Sequence, residues 1–184
     1  DITPDAMPAA DADRASGISA AARKAGMRGP APVHLWTPPY CGEMDMEIRA
    51  DGTWFHEGSP IGRPGMVRMF ANILKYEDGR HYLVTPVEKV GIRVLDAPFL
   101  ATDADIGAEI AFTTNVGDRV VAGPDHPIEM RGTADTPRPY VHIRRGLWAL
   151  IDRKTFYRLA DAAMPAESGR MEVHSGGTVF PLEP

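Results

Sequence analysis

From Glu43 to Arg49 the chain alternates without a break, with Met44, Met46 and Ile48 on one side and Glu43, Asp45, Glu47 and Arg49 on the other. A period of two is that of a strand with one buried face. Asp51-Gly52 follows as a two-residue hairpin signal. Such a loop sets Arg49 opposite Trp54, Ile48 opposite Phe55 and Glu47 opposite His56, with Ile48 and Phe55 turned to the core. The period then changes: Pro64 suits a first helical turn, and Met66, Met69, Phe70, Ile73 and Leu74 recur behind it at helical spacing. A loop ending at Gly79-Arg80 leads to strands over 81–85 and 90–95.

Between Phe99 and Met130 the pattern is one of short β-prone runs, at 99–101, 109–115, 119–122 and 128–130, separated by Asp, Gly and Pro and without helical period. At Tyr140 alternation returns, with Val141 and Ile143 set against Tyr140, His142 and Arg144. A turn at Gly146 and a strand over 147–151 come next. Asp152 is a helix cap in front of Phe156, Leu159, Ala160 and Ala163, which keep helical spacing until Pro165. Strands over 171–173 and 178–180 end the chain.

The two stretches share an order: Ile48-Arg49, Gly52, Trp54, helix, Gly79-Arg80, strand, and then Ile143-Arg144, Gly146, Trp148, helix, Gly169-Arg170, strand. This predicts an α+β fold in which a strand-turn-strand-helix-strand unit is duplicated into two β-rich lobes. The domains read as an arm over 1–31, a first α+β lobe over 32–96 and a second β-rich lobe with one helix over 97–184. The arm holds few large apolar groups and is expected to be disordered or weakly ordered, with room for a short helix over 16–24 capped by Ser16. His34-Leu35-Trp36-Thr37-Pro38-Pro39-Tyr40 reads as an extended strap on the core, because each proline forces its predecessor out of the helical region.

Composition narrows the classes. At 184 residues the chain can bury on the order of 70% of its unfolded surface, so no staple is required. Cys41 is the sole cysteine, which excludes an internal disulfide and suits a reducing compartment. No apolar run approaches the roughly 20 residues of a membrane span. The N-terminal stretch is acidic and Ala-rich where a signal peptide is basic and then apolar, so the expected location is the cytoplasm. The formal charge of −5 argues against duplex nucleic acid as a partner. A local basic run remains, Arg138, Arg144, Arg145, Arg153 and Lys154 against Asp152 alone, and it suits a phosphate.

Each candidate for chemistry has a plain structural reading beside it. Gly62-Arg63-Pro64-Gly65 opens a helix, where free N–H groups attract an anion and Arg63 and Arg68 add charge; it reads equally as an ordinary loop. Lys89 and Arg93 flank the apolar face of one strand, and Arg138, His142 and Arg144 share a face of another. Between the lobes these groups would converge with Thr113 and Asn115 on an anionic ligand, or they pair with carboxylates such as Glu88 and Asp118. Glu43, Asp45 and Glu47 form a carboxylate row that either holds a cation or is bridged by arginine, and no metal is expected there. The six histidines lack zinc spacing. Cys41 reads as a small buried thiol or a nucleophile. No nucleophile elbow, dinucleotide fingerprint or C-x-x-C pair is present, so no cofactor is expected and binding is favoured over catalysis.

Longer runs carry a resemblance. Trp36-Thr37-Pro38-Pro39-Tyr40-Cys41-Gly42-Glu43, Asp51-Gly52-Thr53-Trp54, Gly58-Ser59-Pro60-Ile61-Gly62-Arg63-Pro64 and the stretch from Thr85 to Val94 resemble a bacterial family catalogued as domain of unknown function 1285. The stretch from Phe112 to Asp118 and Arg138-Pro139-Tyr140-Val141-His142 are similar to its later motifs. The resemblance implies a duplicated α+β core, a second lobe similar to pleckstrin-homology-like folds, a groove between the lobes for a nucleotide-type molecule, and a signalling role. The reading that follows is a non-catalytic regulatory protein binding a small anionic, nucleotide-like ligand between two lobes. Its ligand residues would be Arg63, Lys89, Arg93, Thr113, Asn115, Arg138, His142 and Arg144. The alternative is a protein-interaction module that presents the Trp36 to Tyr40 strap and an exposed Trp54 to a protein partner.

Overall fold

The computed structural model describes residues 17–24 and 29–184. The chain divides after Asp96 into two compact units, each built on one six-stranded sheet.

The first unit contains helix α1 (17–24), a 3-10 turn at Val33–Leu35, β1 (Tyr40–Ile48), β2 (Trp54–His56), β3 (Ser59–Pro60), α2 (Pro64–Asn72), β4 (Leu74–Glu77), β5 (Arg80–Val84) and β6 (Lys89–Val94). Its strands lie in the order β3-β2-β1-β6-β5-β4, with β1 and β6 parallel and the other pairs antiparallel. Met44, Met46 and Ile48 are buried, as the alternation predicts. Of the N-terminal arm, α1 buries Ile18 and Ala22; two apolar side chains four residues apart give one helix face. Ser16, the expected cap, lies outside the described residues.

The first hairpin departs from expectation by one residue. Arg49 N–H donates to Thr53 O at 2.9 Å and Gly52 N–H to Arg49 O at 2.9 Å, so the loop has three residues rather than two. Gly52 sits at φ 84°, the left-handed position that such a loop needs, and the Asp51 carboxylate accepts Thr53 N–H at 3.0 Å. Ile48 therefore faces Trp54, and Glu47 faces Phe55. A one-residue slip exchanges the faces of a strand. Trp54 enters the core, 1% exposed and stacked on Phe70, and takes no part in an exposed partner surface. Phe55 lies outside beneath the Arg49 guanidinium, 3.5 Å from its ring centre.

Helix α2 ends sooner than its apolar spacing suggests. Leu74 already belongs to β4, which pairs with β5 across a two-residue turn, Asp78 at φ 50° and Gly79 at φ 79°, the mirror-image turn that matches strand twist. On β5, burial pushes the His81 imidazole down to about 4 from an ordinary value of 6.5, so its neutral form is favoured in the folded chain. The unfolded chain then binds the extra proton between about pH 6.5 and 4, and stability is full above that window and falls as the pH drops through it. Melting temperature measured against pH should show this slope, and His81→Gln should flatten it.

The second unit contains β7 (Phe99–Ile106), β8 (Ile110–Thr114), β9 (Arg119–Val121), β10 (Ile128–Gly132), β11 (Pro137–Arg144), β12 (Leu147–Ile151) and α3 (Arg153–Ala162), then β13 (Met164–Pro165), β14 (Met171–Ser175) and β15 (Thr178–Pro181) as a small second sheet. The Asp152 carboxylate caps α3 by accepting Thr155 N–H at 3.0 Å. Ser175 joins the small sheet to the large one: its hydroxyl donates to Ala122 O at 2.7 Å and accepts Ile110 N–H at 2.9 Å.

The large sheet runs β9-β8-β7-β12-β11-β10, with its first and sixth strands, β7 and β12, parallel. This is the strand order of the first sheet. The repeat is thus one of whole sheets, with β1 equivalent to β7 and β6 to β12. The register of repetition differs from the sequence reading: Ile48 lies in the first strand of its sheet and Ile143 in the fifth, while α2 follows the third strand and α3 the sixth. The shared Ile-Arg, Gly and Trp pattern marks two hairpins of similar chemistry at different places in the repeat. Among the described residues no helix is long and apolar enough to cross a membrane.

Candidate functional site

On the solvent side of the first sheet, opposite charges interlock. Arg93 donates to Asp45 at 2.7 Å and to Glu47 at 3.3 Å, Arg49 reaches Glu47 at 3.3 Å, and Arg80 pairs with Glu43, which also accepts the Tyr40 hydroxyl at 2.7 Å. The carboxylate row of β1 is bridged by arginine. Among the described residues no three His, Cys, Asp or Glu side chains converge as a cation site. Lys89, the other expected ligand group on β6, lies 3.6 Å from Glu77. Arg63 sits in extended backbone at the N-cap of α2 and makes no side-chain capping bond. Cys41 Sγ–H points to Pro39 O at 3.3 Å.

In the second unit the expected residues separate into three settings. Asn115 is committed to the backbone: its side-chain oxygen accepts Leu100 N–H at 3.0 Å while its own N–H donates to Leu100 O at 2.9 Å. Arg144 is packed inside, 3.5 Å from Asp118 and over the Phe99 ring. His142 has both ring nitrogens engaged. Gly146 N–H donates to Nε2 at 2.9 Å, and Nδ1 lies 2.9 Å from Asp125 O, an arrangement that fixes the proton on Nδ1 and latches the β11–β12 turn. Arg138 is exposed. Thr113, on β8, pairs across the sheet with Asp103 and Arg119.

Around Arg138, arginine side chains pack against aromatic rings, of which Tyr140 is buried and Trp148 part-exposed. Arg131 on β10 stands directly opposite Arg138 on β11. Like charges in that relation repel. The Arg131 guanidinium covers the Tyr140 and Trp148 rings, 4.3 and 4.8 Å from their centres, and donates to Glu129 at 3.0 Å; Arg138 donates to the Tyr140 hydroxyl at 3.1 Å. Alternation on β11 and the pairing of His142 with Trp148 place these side chains together. Sequence reasoning found Arg138 but not Arg131, which sits in a short run before Gly132 and has no periodicity to mark it.

A separate cavity of ≈ 500 Å³ opens beside β7, β8 and β9, lined by Asp105, Ile106, Gly107, Glu109, Ala111, Arg119, Val121 and Arg158. Arg119 faces Asp105 at 3.5 Å, and Arg158 of α3 reaches Asp103 at 2.7 Å. None of these residues was marked by sequence as a site; seven of them lie within 105–121 and Arg158 of α3 joins them from far along the chain.

Two sheets of one strand order, each in its own compact unit, define a duplicated α+β protein with a cationic face on its second domain. Family comparison gives the same division. Residues 31–97 match the domain of unknown function (DUF1285), N-terminal domain, and residues 98–182 match the protein of unknown function (DUF1285), C-terminal domain, so the chain belongs to the DUF1285 family. A DUF1285 family protein from Silicibacter pomeroyi DSS-3 is similar in structure, with a TM-score of 0.83, 55% sequence identity, and coverage of 91% of this chain and 94% of that one. A second, from Shewanella baltica OS155, has a TM-score of 0.52 and 30% identity over 63% of this chain and 90% of its own. No curated protein matches the chain.

Proposed function

We propose that this chain is a non-catalytic regulatory protein that binds a small anionic, nucleotide-like ligand on the β10–β11–β12 face of its second unit. The observation that carries the reading is the cross-strand pair Arg131 and Arg138 beside Tyr140 and Trp148. Arginine presents a planar fork that matches phosphate. The part-exposed Trp148 ring offers apolar surface to a base or sugar. A signalling role, a pleckstrin-homology-like second lobe and a cytoplasmic setting belong to the same proposal. The lobe reading is supported by a sheet whose last strand leads into a helix, α3, and the setting by Cys41 being the one cysteine.

A thermal-shift screen against nucleotides, dinucleotides and cyclic nucleotides tests it. A ligand at about 100 times its dissociation constant adds roughly 2.7 kcal/mol. Arg138→Ala should remove that shift and leave the melting temperature of the free protein nearly unchanged; a shift that survives the substitution contradicts the assignment. The alternative of a protein-interaction surface at Trp36 to Tyr40 is favoured by the half-exposed Tyr40 at the end of that stretch and by Leu35, 70% exposed, just before it. Arg138→Ala would leave that function intact.

A further inference from the structure

Trp36, Thr37 and Pro38 pass over the first sheet and close, with Lys75, Glu77 and Lys89, a cavity of ≈ 80 Å³. Its charges do not balance. Lys75 and Lys89 direct their ammonium groups at one and the same Glu77 oxygen, at 3.3 and 3.6 Å, and their side chains are only 17% and 19% exposed. Two positive charges face a single negative one. Lys75 also donates to the Trp36 carbonyl at 3.3 Å. The Lys89 ammonium makes no hydrogen bond among the described residues and rests 4.8 Å from the centre of the Tyr82 ring. An ammonium carries three donors, and burial without acceptors is costly.

One further negative charge with acceptor oxygens would balance the two ammoniums. The cavity is larger than the roughly 10–15 Å³ that admits one water and well below the roughly 300 Å³ of pockets that enclose a whole cofactor, so it suits a small group. A carboxylate makes the count two against two, whereas a phosphate dianion overshoots it. Trp36 and Pro38 provide an apolar wall for the carbon end of such an acid. We propose that the cavity beneath residues 36–38 is a binding site for a small monocarboxylate, held by Lys75 and Lys89 and independent of the arginine face of the second unit.

The test is a ¹⁵N NMR titration of the full chain with acetate, with inorganic phosphate as comparison, following the Trp36 indole N–H as assigned with Trp36→Phe. Acetate should give a saturable shift at millimolar concentration, and phosphate a weaker one. Lys89→Met leaves one ammonium against one carboxylate and should abolish the acetate response. Glu77→Gln leaves two ammoniums unopposed and should invert the order, so that phosphate binds more tightly than acetate. The proposal is overturned by a Trp36 resonance that ignores acetate, by a wild-type preference for phosphate, or by a Glu77→Gln protein that keeps the acetate preference.

Discussion

Trp54→Ala is expected to destabilise the first unit by about 3–5 kcal/mol, the range for truncating a large buried aromatic, while the adjacent Phe55→Ala costs about 1 kcal/mol through loss of its contact with Arg49. The contrast follows from the hairpin register: Trp54 is stacked on Phe70 inside the sheet, with Phe55 on the outer face. Among the described residues the indole Nε1 of Trp54 has no hydrogen-bond partner. Trp54→Phe, which keeps a ring against Phe70 and removes that unpaired donor, should therefore recover most of the loss. Denaturant unfolding of the three variants measures all of this. Equal costs at positions 54 and 55 would contradict the three-residue loop.

Arg144→Ala is the second large effect, at about 3–5 kcal/mol, or a fall in melting temperature of roughly 10 °C. Arg144 and Asp118 are only 15% and 16% exposed in their side chains. Burial pulls the Arg144 pKa down and Asp118 acts against it, so removing the arginine leaves a carboxylate with little solvent and one fewer partner. The double variant Arg144→Met with Asp118→Leu should restore most of the stability, because a buried pair is readily replaced by apolar groups of similar size. Arg93→Ala offers the contrast. Its pairs with Asp45 and Glu47 lie at the surface, where an ion pair contributes about 1 kcal/mol or less.

These two results bear on what was legible in the sequence. Period-two alternation located β1 and β11, and the short runs after Phe99 each became a strand, because half-buried strands write their faces directly into the residue order. Loop length is written less clearly: Asp51-Gly52 fits a two-residue or a three-residue loop, and the choice moves Trp54 from solvent to core. Leu74 shows a related ambiguity, since one apolar residue satisfies both the helical spacing behind Pro64 and the inward face of β4. The duplication was legible as a fact but not in its register, because hairpins with Gly turns and Trp recur wherever strands meet. Of the expected ligand residues, Arg63, Arg93 and Arg138 are exposed. Asn115 and His142 were drawn into backbone roles by partners distant in sequence, Leu100 and Asp125, which residue order alone does not encode, whereas Arg144 took the carboxylate alternative and pairs with Asp118.

The central claim, an anionic ligand on the arginine face of the second unit, is tested most directly by following the Trp148 indole N–H in NMR spectra while nucleotides are titrated into the full chain. The account predicts a saturable shift of Trp148 that weakens with added salt, as contacts to phosphate do, and that is lost in Arg138→Ala while the Trp54 resonance stays in place. A Trp148 resonance that does not move with any nucleotide, or that moves equally in wild type and Arg138→Ala, would contradict it.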